Sequence, residues 1–155
     1  LPILYVCENN QWQAFVHRRE AMSRDHVADW AASYGIPART VDGNDITAVL
    51  AAAQIAAEQV RESRRPYLLE TYTYRTRGHF EPDDQVYVNQ AERDAWLARD
   101  PIALCRDHLI ADGCLTPAQN AELTDRVASR IAAAIAFAEA SPFPAADELT
   151  RDVYA

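Results

Sequence analysis

Apolar residues fall first into short unbroken runs and then into longer helical stripes. Ile3 to Cys7 is a continuous apolar run, the pattern of a parallel strand covered on both faces. Val27, Trp30, Ala31 and Tyr34 recur at i, i+3, i+4 and i+7, one face of a helix. Ser23 is placed to cap that helix, and Gly35 and Pro37 to stop it. Thr40-Val41 predicts a short strand, Asp42-Gly43 a turn, and Asn44 or Asp45 the cap of a second helix. The apolar face of that helix reads Ile46, Val49, Leu50, Ala53, Ala57 and Val60. After Pro66, Tyr67 to Tyr74 is rich in aromatic and β-branched residues and predicts a third strand.

Strands alternating with helices at this spacing predict an α/β fold, a parallel sheet with flanking helices and all three strands in one sense. The rest of the chain reads as a C-terminal helical arm. Asp100 can cap a helix entered through Pro101, and Thr116-Pro117-Ala118-Gln119 has the form of a capping box with proline at the first helical position. Leu123, Val127, Ile131, Ile135 and Ala138 continue one stripe, which Ser141-Pro142 ends. Such a stripe predicts docking on the sheet or on a partner subunit. Residues 1–90 are expected to hold the α/β part and residues 91–155 a helical extension of the same domain, without a sharp boundary.

Composition narrows the function. The 155 residues carry a net charge of −8, and every basic residue is arginine. That balance argues against nucleic acid, which calls for clustered positive charge. No apolar run approaches the ~18 residues of a membrane span. Three cysteines, Cys7, Cys105 and Cys114, without C-x-x-C spacing fit reduced thiols in the cytoplasm better than a disulfide framework or a zinc site.

In open parallel sheets, ligands bind beyond the carboxyl ends of the strands, and here those ends are polar. They read Glu8-Asn9-Asn10-Gln11-Trp12, then Asp42-Gly43-Asn44-Asp45, then Arg75-Thr76-Arg77-Gly78-His79 with the acidic Glu81-Pro82-Asp83-Asp84 behind it. Parallel pairing would gather the three along one rim, suited to a polar or anionic ligand. Each also has an ordinary structural reading. Asn9 and Asn10 can turn the chain, Asp42 to Asp45 can turn and cap, Glu70 can be a paired structural carboxylate, and His79 a surface histidine. Trp12, Trp30 and Trp96 read as packing residues rather than as a stacking platform. With few apolar anchors beyond Phe80 and Val86, the loop from Arg75 to Asn89 is expected to be poorly ordered without its ligand.

The segments in combination carry a resemblance. Leu1-Pro2-Ile3-Leu4-Tyr5-Val6-Cys7-Glu8-Asn9-Asn10-Gln11-Trp12 resembles the segment that closes the thiamine-diphosphate motif in α subunits of pyruvate, branched-chain and acetoin dehydrogenases. Tyr34-Gly35-Ile36-Pro37, Val41 to Asp45, Thr73-Tyr74-Arg75, Gly78-His79, and Trp96 followed by Asp100-Pro101-Ile102 recur in that family in the same order. The resemblance implies half of a thiamine-diphosphate-binding fold. It also implies thiamine diphosphate and Mg²⁺ as cofactors, with Asn10 giving a side-chain oxygen and Trp12 a backbone carbonyl to the metal. Both are hard oxygen donors. His79 is the implied catalytic and cofactor-binding residue, donating to the pyrophosphate. The implied partners are a β subunit in an α2β2 assembly, which brings the carboxylate that activates the aminopyrimidine, and a lipoyl acyltransferase.

The chain departs from the family pattern in several places. Trp12 stands for the usual tyrosine, a change a backbone ligand survives. Val16-His17-Arg18-Arg19-Glu20 replaces a small-residue segment, and Tyr87-Val88 replaces Tyr-Arg. The Gly-Asp-Gly segment that brings the metal's aspartate is not among these residues, so the N-terminal half of the α subunit is expected as a further partner. Gly78-His79-Phe80-Glu81 with its acidic pair is closer to acetoin-type subunits than to pyruvate ones. The competing expectation is a truncated or split α/β module with a structural or binding role.

Overall fold

The computed structural model describes residues 1–151 and 153. The chain forms two compact units, Leu1–His108 and Leu109–Ala155.

The first unit is built on a three-stranded parallel sheet of β1 (Leu4–Asn9), β4 (Ala38–Asp42) and β5 (Tyr67–Tyr72), in the order β1-β5-β4. The last of these strands in sequence is therefore the central one. Leu4 pairs with Tyr67 and Asn9 with Tyr72, while Ala38 pairs with Leu68 and Asp42 with Tyr72. All three polar strand ends thus meet at Tyr72, as the parallel reading expects. The third strand stops at Tyr72, two residues short of the expected Tyr74.

Helix α3 (Ile46–Ser63) links β4 to β5 and is capped by Asp45, whose side chain accepts from the Thr47 and Ala48 amides. Its buried face is Ala52, Ala56 and Val60, packed with Val41, Leu69, Tyr67 and Leu4. Of the expected stripe, Val49, Ala53 and Val60 do face the core, while Ile46 and Leu50 do not. Ile46 and Leu50 are more than half exposed, because the helix lies against the sheet through its small residues. Likewise Tyr5 and Val6 of β1 are exposed, so the two-sided cover that its apolar run predicts is not made by the described residues.

Two local readings change. Ser23 does not cap a helix. The segment is one α turn, α2 (Ala28–Ala31), continued by a 3-10 turn to Tyr34, and no side chain of its own N-terminal residue caps it. Gly35 ends it in the left-handed conformation at φ 63°, as expected. Between β1 and α2 lies an unexpected hairpin, β2 (Trp12–Gln13) with β3 (Val16–His17), followed by the single turn α1 (Arg18–Ala21). Strands of two residues are too short for a period-2 signal, and Ala14 takes φ 49° without the usual turn residues. Helix α4 (Gln90–Leu97) and the start of α5 (Pro101–Ala111) complete this unit, with Asp100 capping α5 through the Ile102 and Ala103 amides.

The second unit holds α6 (Pro117–Ala140), which opens on the expected capping box of Thr116 and Gln119 and stops at Ser141. Its stripe of Leu123, Val127, Ile131 and Ile135 is exposed. No helix among the described residues is long and apolar enough to cross a membrane.

Candidate functional site at the carboxyl end of the sheet

The rim begins with Asn9, the last residue of β1. A β-strand cannot continue into the next three residues, because Gln11 is held at φ 70°. The turn is fixed by side chains. Asn10 Oδ1 accepts from the Trp12 amide at 3.0 Å. Gln11, 2% exposed, lays its side chain back under the turn. Its Nε2 donates to Asn9 O at 3.1 Å and to Thr73 O at 3.3 Å. Its Oε1 accepts from Arg18 Nε at 2.7 Å. The backbone closes over this, with Thr73 N donating to Asn9 O, Arg75 N to Asn10 O and Arg18 N to Gln11 O. Asn10, Trp12, Arg18 and Trp30 help line an open hollow of about 380 Å³ beside the turn.

Under the rim lies a buried charge. Glu70 of β5 is 0% exposed. Its Oε1 accepts from Asn9 Nδ2 at 2.6 Å and the Val27 amide at 2.9 Å. Its Oε2 accepts from Thr40 Oγ1 at 2.7 Å and the Ala28 amide at 3.1 Å. The strand carboxylate thus caps α2, which explains why Ser23 is not needed. Burial alone would raise the Glu70 pKa, but the hydrogen bonds from Asn9, Val27, Thr40 and Ala28 more than offset it and hold the carboxyl below its ordinary value. The paired structural carboxylate expected at this position is found, satisfied by these four donors, with His26 Nδ1 a further 3.6 Å from Oε2.

The second rim segment is also tied down. Asn44, 4% exposed, accepts from Thr73 Oγ1 at 2.6 Å and donates to Arg99 O at 2.7 Å. Gly43 donates to Tyr72 O at 2.8 Å, and a Cβ on it would lie 2.9 Å from that oxygen, so only glycine fits this approach.

The third segment carries His79. Asp83 organises it, accepting from the His79 amide and the Tyr87 hydroxyl, both at 2.6 Å, and from the Gln85 amide at 3.0 Å. The Tyr87 hydrogen bond is the largest influence holding the Asp83 carboxyl below its ordinary value. Arg75 reaches back to Ala14 O at 2.6 Å and to the Tyr87 hydroxyl at 3.1 Å. The loop's anchors are therefore mainly polar and aromatic. Val86 is 84% exposed, while Phe80 meets Phe15 edge-on.

Of the residues singled out in the sequence, Asn10 and Trp12 are joined directly. His79 is linked to them through the hairpin: its exposed ring meets Phe15 edge-on with centroids 5.4 Å apart, Phe15 meets Tyr87, and Tyr87 meets Trp12 at 5.2 Å. The tryptophans divide. Trp12 and Trp96 both contact Tyr74, Trp96 stacking on it at 14°, whereas Trp30 is 43% exposed. Gln11 and Arg18, which build the turn from beneath, carry no sequence signal, since polar residues after a strand read as solvated loop. Asn10 Oδ1 holds one N–H and keeps a second lone pair, so the turn can offer an oxygen to a hard cation. Among the described residues no group of three or more His, Cys, Asp or Glu side chains could hold a metal ion.

The chain is 40% identical to the α subunit of acetoin:2,6-dichlorophenolindophenol oxidoreductase from Bacillus subtilis, over 99% of this chain and 46% of that protein. It is 34% identical to the pyruvate dehydrogenase E1 component subunit α of Porphyra purpurea, over 100% of this chain and 45% of that protein. The corresponding subunit of Rhizobium meliloti is 33% identical over 99% of this chain and 44% of its own length. The chain therefore spans a little under half the length of these relatives. Residues 1–147 match the model of the dehydrogenase E1 component family, and the chain belongs to that family.

Proposed function

We propose that these residues form the C-terminal half of the cofactor-binding domain in an α subunit of a thiamine-diphosphate-dependent dehydrogenase. Residues 1–90 form the α/β part and residues 91–155 its helical extension. The observation that carries the reading is the Asn9–Trp12 turn, which sets an amide oxygen with a spare lone pair beside Trp12 at a sheet's carboxyl end. The donor set fits Mg²⁺, an ion that takes hard oxygens. Asn10 holds it through its side chain and Trp12 through its backbone carbonyl. His79, whose backbone is clamped by Asp83 and whose ring is exposed, donates an imidazole N–H to the pyrophosphate. Bound thiamine diphosphate would supply the carbanion chemistry that cleaves the carbon–carbon bond beside a carbonyl. This chain's residues bind and orient rather than break bonds.

The substrate class is acetoin or a 2-oxo acid, with acetoin favoured. The Gly78-His79-Phe80-Glu81 segment and the similarity to the acetoin oxidoreductase subunit support that choice. The product group passes to a lipoyl carrier, and a β subunit completes the site in an α2β2 assembly. The remaining half of the α subunit brings the charged metal ligand. Three free cysteines are consistent with a reducing cytoplasm.

The test uses the assembled enzyme. His79→Ala should weaken thiamine diphosphate retention about ten- to hundredfold, the scale of one charge-assisted hydrogen bond. Asn10→Ala should weaken it through the metal, so that raised Mg²⁺ restores Asn10→Ala and not His79→Ala. Calorimetric titration of cofactor at two Mg²⁺ concentrations separates the two. Normal affinity in both variants would return these loops to a purely structural role.

A further inference from the structure

We propose that Glu70 is a positioning residue for the metal-binding turn: through Asn9 and Gln11, its buried carboxylate fixes which way round the polar groups beneath Asn10 and Trp12 are set. The inference rests on the reading of Asn10 and Trp12 as magnesium ligands.

The argument follows donor and acceptor sense. An asparagine or glutamine amide is nearly symmetric in shape, so a buried one can sit either way round unless its partners decide. Asn9 and Gln11 are both buried, at 8% and 2% exposure. At one end of their chain of contacts stands a carboxylate, which only accepts. It takes Asn9 Nδ2 at 2.6 Å, so Asn9 Oδ1 is turned toward Gln11, accepting from its Nε2 at 3.3 Å and its amide at 3.4 Å. At the other end stands the Arg18 guanidinium, which only donates. It gives Nε–H to Gln11 Oε1 at 2.7 Å, so Gln11 Nε2 must face Asn9 and Thr73 O. Two groups with one possible sense each thus orient two groups that have two. Asn10 lies between the oriented pair, and its side chain closes the same turn on Trp12.

Arg18 is itself held. It is 6% exposed, pairs with Asp25 at 2.8 Å and donates to the Tyr72 hydroxyl at 3.2 Å. Glu70 has three further donors that do not lead to the turn: the Val27 and Ala28 amides and Thr40. Asn9 is therefore the one connection to cut when separating the turn from the general work of satisfying a buried charge.

The test compares Glu70→Gln, Asn9→Ala and Asn10→Ala in the assembled enzyme, with Mg²⁺ itself as the probe. Glu70→Gln keeps the size but places an amide N–H among donors. Asn9→Ala leaves the carboxylate its other three partners. Both should raise the Mg²⁺ concentration that gives half-maximal thiamine diphosphate retention by about ten- to hundredfold, the usual cost of losing support behind a metal ligand. Saturating Mg²⁺ should restore retention. Amide hydrogen exchange at Gln11 and Trp12 should speed up in both variants while that of α3, in the same unit, stays unchanged, a pattern that a general loss of stability of this unit would not produce. If Glu70→Gln fails to fold, Asn9→Ala decides alone. An unchanged Mg²⁺ requirement in Asn9→Ala, with Asn10→Ala still raising it, overturns the positioning role and leaves the metal site standing. An unchanged requirement in Asn10→Ala as well overturns both.

Discussion

Thiamine diphosphate with Mg²⁺ should bind residues 1–155 on their own no tighter than about millimolar, a free energy of only ~4 kcal/mol. The expectation follows from the donors present. An octahedral Mg²⁺ seeks six oxygens, with carboxylate and phosphate groups carrying the charge. In the proposed site the rim offers it one side-chain amide oxygen at Asn10 and one backbone carbonyl at Trp12, both neutral. No cluster of acidic or histidine side chains among the described residues could take the ion in their place. Adding the companion polypeptide proposed to bring a metal-binding carboxylate should tighten binding about thousandfold, to the micromolar range. Calorimetry with and without that polypeptide measures both values. Micromolar binding by these residues alone would mean that the metal is held elsewhere. No gain on adding the companion would favour a module with a structural or binding role.

Replacing Glu70 with leucine should cost the first unit about 3–5 kcal/mol, a large part of the 5–15 kcal/mol that holds a typical domain together. The side chain is 0% exposed, so water cannot replace it. Leucine leaves two backbone amides, the Asn9 amide and the Thr40 hydroxyl without their acceptor. Chemical denaturation of both proteins at neutral pH gives the difference. It should also depend on pH. The folded-state pKa of Glu70 lies below its ordinary value, so its contribution is full above the unfolded pKa, about 4, and is lost as pH falls through the folded one. The gap between wild type and variant should therefore shrink under strong acid. A gap below about 1 kcal/mol at neutral pH would mean that the four donors find other partners.

The alternation of strands and helices was legible because each strand is a short apolar run closed by turn residues and α3 is long enough to show its period. The caps at Asp45, Asp100 and Thr116 were legible because capping depends on local spacing. What was not legible depends on contacts distant in sequence. Ser23 looked like a cap, but the acceptor at α2 comes from Glu70, more than forty residues later. The face of α3 was legible at Val49, Ala53 and Val60 but not at Ile46 and Leu50, because Ala52 and Ala56 rather than these larger residues fill the contact with the sheet. At the site, Asn10, Trp12 and His79 stood out through a family pattern and now occupy a connected rim. The turn's underside did not stand out: Gln11 and Arg18 are buried through contacts that include β5 and its following segment, some sixty residues away.

The central place of β5 also constrains how the chain can acquire its structure. In the three-stranded sheet, β1 and β4 share no hydrogen bonds; each pairs only with β5. Leu4 must wait for Tyr67, and Ala38 for Leu68. Within these residues, then, neither β1 nor β4 finds its strand partner until residues 67–72 have been made, although α3 can already form through local contacts. Non-local pairing of this kind is slow, and the β1 edge that meets β5 stays unpaired for that interval, the condition under which unpaired strands associate wrongly. Early binding by a chaperone should therefore concentrate on the first strand and fall away once the third has emerged.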